Sequence, residues 1–217
     1  MPLKVIQNLG DDAVQAKLMP KITAWYEEVK QLLPALPESL QIYFFAQDDP
    51  GIMKECGVGG YAYSPEIMSL GYLLDFADKK EQMNQLKSTV FHEALHIAQN
   101  YTGSGEQTPL IECMVYEGLA TVFERVVLGN SQPYGEYPDD TAVVEQWIKS
   151  IKKVKTPWNL SDYSKWGFYD EDSGEKWKLY KAGTWVIDQI IESNDSISLL
   201  ELTKMSAKEI LNLATSE

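Results

Sequence analysis

The sequence predicts an α+β fold: a small N-terminal β-sheet with a helix, followed by a mainly helical part. Three observations carry this. Runs rich in aromatic and β-branched residues are confined to the first third of the chain, at 41–46, 61–63 and 67–74. From residue 79 onward, apolar residues recur at helical spacing. Strands first and helices later is the order of an α+β chain, not of an alternating α/β one. With 217 residues and 44% hydrophobic content, a single domain over 1–217 is expected, made of a mixed portion 1–78 and a helical portion 79–217.

Residues 11–33 read as the first helix. Asp11 and Asp12 can cap it, and Val14, Leu18, Ile22, Trp25, Val29 and Leu32 fall at helical spacing. Pro20 inside this pattern predicts a kink or a break into two helices, and Pro34 and Pro37 end it. Gln41-Ile42-Tyr43-Phe44-Phe45-Ala46 reads as a strand, followed by the turn Asp48-Asp49-Pro50-Gly51. Gly57-Val58-Gly59-Gly60 suggests a mobile or tightly turned segment; its spacing does not match a dinucleotide loop. Tyr61–Tyr63 and Ile67–Leu74 read as antiparallel neighbours.

Asp78 with Glu81 predicts a capping box opening a helix over 79–102, closed by Gly103. Thr108-Pro109 opens the next helix in cap-then-proline order, and Gly129 ends it. Residues 130–140 read as a loop, 141–154 as a helix, and 156–174 as a long aromatic and acidic stretch. A helix over 175–193 and short C-terminal helices complete the chain.

Composition excludes several classes of function. A net charge of −13, from 32 acidic and 19 basic residues, argues against a nucleic-acid partner, which needs a basic face. It also disfavours adhesion to an anionic membrane. Two cysteines, Cys56 and Cys113, make neither a disulfide framework nor a four-cysteine zinc site. No run has the length of a membrane span, and residues 1–10 lack the basic and apolar regions of a signal peptide. The expected compartment is the cytoplasm.

The chemistry concentrates in His92-Glu93-Ala94-Leu95-His96, which contains the only two histidines of the chain. Residues i and i+4 share a helix face, so both imidazoles can reach one metal ion. Glu93 can sit beside the open coordination position and take a proton from a metal-bound water, as in the H-E-x-x-H pattern. Val90, Phe91, Ala94, Leu95, Ile97 and Ala98 make the surroundings apolar, where unpaired polar groups are costly. Zinc needs a third protein ligand, and with no third histidine a carboxylate is expected. The next helix offers Glu112, Glu117 and Glu124; Glu117 and Glu124 share a face, which Glu112 does not.

Glu117-Gly118-Leu119-Ala120-Thr121-Val122-Phe123-Glu124 resembles the second motif of gluzincin zinc metallopeptidases, E-G-F/L-A-x-x-x-E, which follows the H-E-x-x-H helix at a similar distance; here 21 residues separate His96 from Glu117. The pairing is also similar to that of a family of small predicted Zn-dependent proteases of unknown function. The resemblance is specific over 92–124. It departs at Tyr116, where larger gluzincins often carry asparagine.

The resemblance implies a zincin-like helical part carrying Zn2+, with His92, His96 and Glu117 as ligands and Glu93 as general base. It implies that Glu124 orients an imidazole. It implies a peptide or protein substrate, with the strand before the metal helix offering a free edge to the substrate backbone. The oxyanion donor cannot be a histidine, and a tyrosine is the natural substitute. Tyr180, in Trp177-Lys178-Leu179-Tyr180-Lys181-Ala182-Gly183, is favoured because the small-protease family has a similar tyrosine and glycine in a late helix; Tyr163 and Tyr169 are rivals. Arg125 is expected in an ion pair. The alternative to a peptidase is a metallopeptidase-like binding or regulatory module that holds metal and cleaves little. A third reading is hydrolysis of a non-peptide amide or ester.

Overall fold

The computed structural model describes residues 3–102, 107–194 and 196–214. Two compact units make up the chain, Met1–Gly103 and Ser104–Glu217. The architecture is α+β: a four-stranded sheet near the N-terminus, with eight helices among the described residues.

In the first unit, strand β1 (Leu3–Gln7) leads into helix α1 (Asp12–Leu32). The Asp11 carboxylate caps α1 by accepting from the backbone N–H groups of Ala13 and Val14. The chain returns as β2 (Leu40–Phe44), parallel to β1. Pro20 does not divide α1. Buried Leu18, Ile22, Tyr26 and Val29 hold one apolar stripe across it, and this packing outweighs the single missing N–H. Tyr26, not Trp25, faces the core, and its hydroxyl donates to the Pro37 carbonyl at 2.7 Å. β1 has no counterpart in the expectations above, because its five residues carry too little alternation to announce a strand.

β3 (Val58–Ser64) and β4 (Ile67–Tyr72) form the expected antiparallel hairpin. Gly59 and Gly60, expected in a mobile or turned segment, lie inside β3. The sheet order is β1-β2-β4-β3, with β4 parallel to β2. β4 is therefore paired on both sides and has no free edge, contrary to the expectation for the strand before the metal helix. β3 and β1 are the edge strands.

Helix α2 (Lys79–Ala98) packs on β3, β4 and α1. Asp78 caps it by accepting from Lys80 and Glu81 N–H, but Glu81 makes no reciprocal bond; its carboxylate accepts from Gln85 instead. Buried Gln82 ties the helix to the sheet by donating to the Gly57 and Leu73 carbonyls, each at 2.8 Å. α2 ends at Ala98, and Asn100 takes the left-handed conformation with φ 56°. Gly103, the expected terminator, lies outside the described residues.

The second unit is helical. α3 (Leu110–Leu128) begins after Pro109, which occupies the cap position itself and offers no side-chain bond, so Thr108 is not the cap. Gly129 ends α3 in the left-handed conformation. α4 (Thr141–Ile151) buries Val144, Trp147 and Ile151 on one stripe. The stretch expected to be irregular contains α5 (Leu160–Tyr163), a π-helical turn over Ser164–Phe168, and a bridge pairing Tyr169 with Lys176. α6 (Lys178–Ser193), α7 (Leu199–Leu202) and α8 (Ala207–Ala214) follow. α3 and α6 are the most closely packed pair, and α4 and α8 flank them.

The turn before α6 is anchored by a buried ion pair. Lys178 bonds the Asp170 carboxylate and lies over the Trp166 ring, 4.5 Å from its centroid. Arg125 of α3 makes a two-pronged pair with Asp188 of α6, and the Tyr137 hydroxyl donates to the same carboxylate at 3.0 Å. Cys56 and Cys113 form no disulfide.

Candidate metal centre

α2 carries His92, Glu93 and His96 in one turn, all three buried. Their helix is held down by Leu86, Val90, Phe91, Ala94 and Leu95, each fully buried. Four-residue spacing puts the two imidazoles on one face; their ring centroids are 4.7 Å apart and their planes nearly perpendicular, at 86°. Tyr101, just beyond the helix, sets its ring edge-on to His96 at 5.0 Å.

Glu93 points toward the sheet. A Cβ on Gly60 of β3 would lie 2.8 Å from both Cγ and Oε1 of Glu93, and 2.3 Å from Thr89 Cγ2. Only glycine at position 60 lets the carboxylate approach the edge strand so closely. Gly60 belongs to this site, and sequence reasoning missed it. The signal was present as a glycine pair next to an aromatic strand run, a pattern that marks close approach as well as turns.

In α3 the side chains of Glu117 and Glu124 are both buried. The Tyr163 hydroxyl donates to Glu117 Oε1 at 3.0 Å. The Tyr134 hydroxyl donates to Glu124 Oε1 at 2.7 Å. Tyr180 of α6 packs against the Tyr134 ring with centroids 5.5 Å apart, so it stands one aromatic ring from Glu124. Tyr169 is exposed and Arg125 is paired with Asp188. Tyr116, beside Glu117 in the chain, is half-buried; burial raises its phenol above the ordinary value, so it stays neutral.

One donor atom from each of His92, His96 and Glu117 lies within 4.8 Å of the others. Donors around one tetrahedral zinc stand roughly 3.4 Å apart, given bond lengths near 2.1 Å. Three donors within 4.8 Å of one another could hold one such ion. Two imidazoles and a carboxylate are a donor set of zinc-like chemistry.

An α+β fold that gathers these three side chains defines a candidate metal-binding protein. The chain belongs to the family described as predicted Zn-dependent protease (DUF2268), which matches residues 19–212. No curated protein and no solved structure matches the chain. No helix among the described residues is long and apolar enough to cross a membrane.

Proposed function

We propose that this protein is a zinc-dependent peptidase of gluzincin type, with His92, His96 and Glu117 holding the ion and Glu93 as general base. The observation that carries the reading is the approach of three donor atoms to within 4.8 Å of one another, beside a buried glutamate in the same helical turn. The family description supports both the metal and the reaction class. Residues 1–217 act as one metallopeptidase-like domain. Action in the cytoplasm is part of the same proposal, in keeping with two cysteines that form no disulfide.

Zinc held by His92, His96 and Glu117 would supply a Lewis acid and would bring a coordinated water's pKa toward neutrality. Glu93 would take the attacking water's proton at a carboxylate oxygen as the substrate carbonyl is attacked. It then delivers the proton to the departing amine nitrogen. Gly60 sets how far Glu93 can move, because the strand backbone stands against it. Tyr180 donates its phenolic proton in a hydrogen bond to the carbonyl oxygen as that oxygen gains negative charge. Glu124, held by Tyr134, orients an imidazole. β3, the sheet edge that packs against α2, offers backbone N–H and C=O groups to an extended peptide.

The test compares the wild type with Glu93→Gln on quenched peptide libraries. The zinc-loaded wild type should cleave and lose activity on chelation. The variant should retain zinc and lose cleavage by about 10²-fold or more. A zinc-loaded wild type that cleaves no library member would leave the binding or regulatory module standing instead.

A further inference from the structure

We propose that Tyr163 is a positioning residue that fixes the Glu117 carboxylate for metal capture; this rests on the assignment of Glu117 as a ligand. Its hydroxyl donates to Glu117 Oε1 at 3.0 Å. The hydrogen bond sets the plane in which the carboxylate lies, and so the direction in which its oxygens are offered to an ion.

The phenol is itself held from several sides. Its ring stacks on Trp158 at 5.2 Å with an interplanar angle of 29°, and Phe168 meets it edge-on at 5.6 Å. The Trp158 indole N–H donates to the Thr108 carbonyl at 2.8 Å, which pins the stack to the start of α3. Gly167 lies under the ring, where a Cβ would stand 2.8 Å from Tyr163 Cε1. Tyr163 closes α5 at the point where the backbone widens into the π-helical turn Ser164–Phe168. Such turns re-aim side chains at functional sites. The aromatic stretch 158–168 thus aims one hydroxyl at one carboxylate oxygen.

The experiment titrates full-length wild type and Tyr163→Phe with zinc against a chelating dye, and records the visible spectrum of each after cobalt loading. Tyr163→Phe keeps the ring and its stack and removes only the hydroxyl. It should melt as the wild type does, bind zinc about ten- to hundred-fold more weakly, and show a cobalt spectrum altered in wavelength and intensity. A loss of packing alone would not move that spectrum. Gly167→Ala keeps the hydroxyl but displaces the ring, and should weaken zinc in the same direction; it carries the test should Tyr163→Phe fail to fold. Wild-type zinc affinity and cobalt spectrum in Tyr163→Phe, or wild-type affinity in Gly167→Ala, would overturn the proposal alone. A wild type that takes up neither zinc nor cobalt would overturn the metal reading and this proposal with it.

Discussion

Gly118 of α3 and Gly183 of α6 meet backbone to backbone. A Cβ on Gly118 would stand 2.0 Å from the Gly183 carbonyl carbon, and one on Gly183 would stand 1.9 Å from the Met114 carbonyl oxygen. The glycine following Glu117 is therefore a packing residue. It lets two helices touch, and so fixes the helix from which Glu117 projects.

Gly118→Ala and Gly183→Ala should each destabilise the protein, at or above the upper end of the 1–3 kcal/mol cost typical of overpacking, about 3 kcal/mol, because the obstruction is backbone and not a yielding side chain. Urea unfolding measures this. Where the variants still fold, zinc affinity should fall as well, since the turn carrying Glu117 must shift.

Gly60→Ala should separate metal binding from catalysis. The three atoms nearest the added methyl belong to Glu93 and Thr89, not to either histidine. We expect near-normal zinc content with cleavage reduced about 10²-fold, the scale on which a misplacement near 1 Å acts. Metal analysis and peptide kinetics on one preparation decide it.

Tyr180→Phe should lower kcat by about 10²–10³-fold if its hydroxyl meets the developing oxyanion. KM and zinc content should stay near wild type. An unchanged kcat would reduce Tyr180 to its packing role against Tyr134.

The buried Asp170–Lys178 pair predicts a pH dependence of stability. Burial pushes the Asp170 carboxyl upward, but hydrogen bonds from Lys178, Ser173 and the Asp172 N–H outweigh it and hold the pKa at about 2, below the ordinary 3.8. A depressed folded-state value stabilises the fold above the unfolded-state value, and that stability is lost as pH falls. The loss should run from about pH 4 down to about pH 2, and Asp170→Asn should lack it. At neutral pH that variant should be less stable by about 3 kcal/mol, the cost of leaving a buried ammonium without its counter-ion. Urea midpoints measured from neutral pH down to about pH 2 give both numbers.

Local features of the fold were legible in the sequence. Asp11 and Asp78 announced helix starts, Gly129 announced a helix end, and the four-residue spacing of His92 and His96 announced a shared face. Each depends on neighbours within one turn. Features set by distant partners were not legible. Pro20 reads as a break until the core stripe of Leu18, Ile22, Tyr26 and Val29 is known. Gly59 and Gly60 read as a turn until Glu93 and Gly51 are seen against them. β4 reads as an open edge until β2 and β3 flank it. Tyr163 could be weighed against Tyr169 and Tyr180 only as one tyrosine among twelve. Its contact with Glu117 spans 46 residues and depends on a π-helical turn that no local pattern marks.

The two-pronged bond from Arg125 to Asp188 clamps α3 to α6 a second time, beyond the glycine contact. Two points of attachment oppose pivoting and sliding of one helix on the other. Glu117 and Tyr180 project from those two helices, so the same contacts that join the helices set where both side chains start. The spacing between the two helices is thus set by their own contacts.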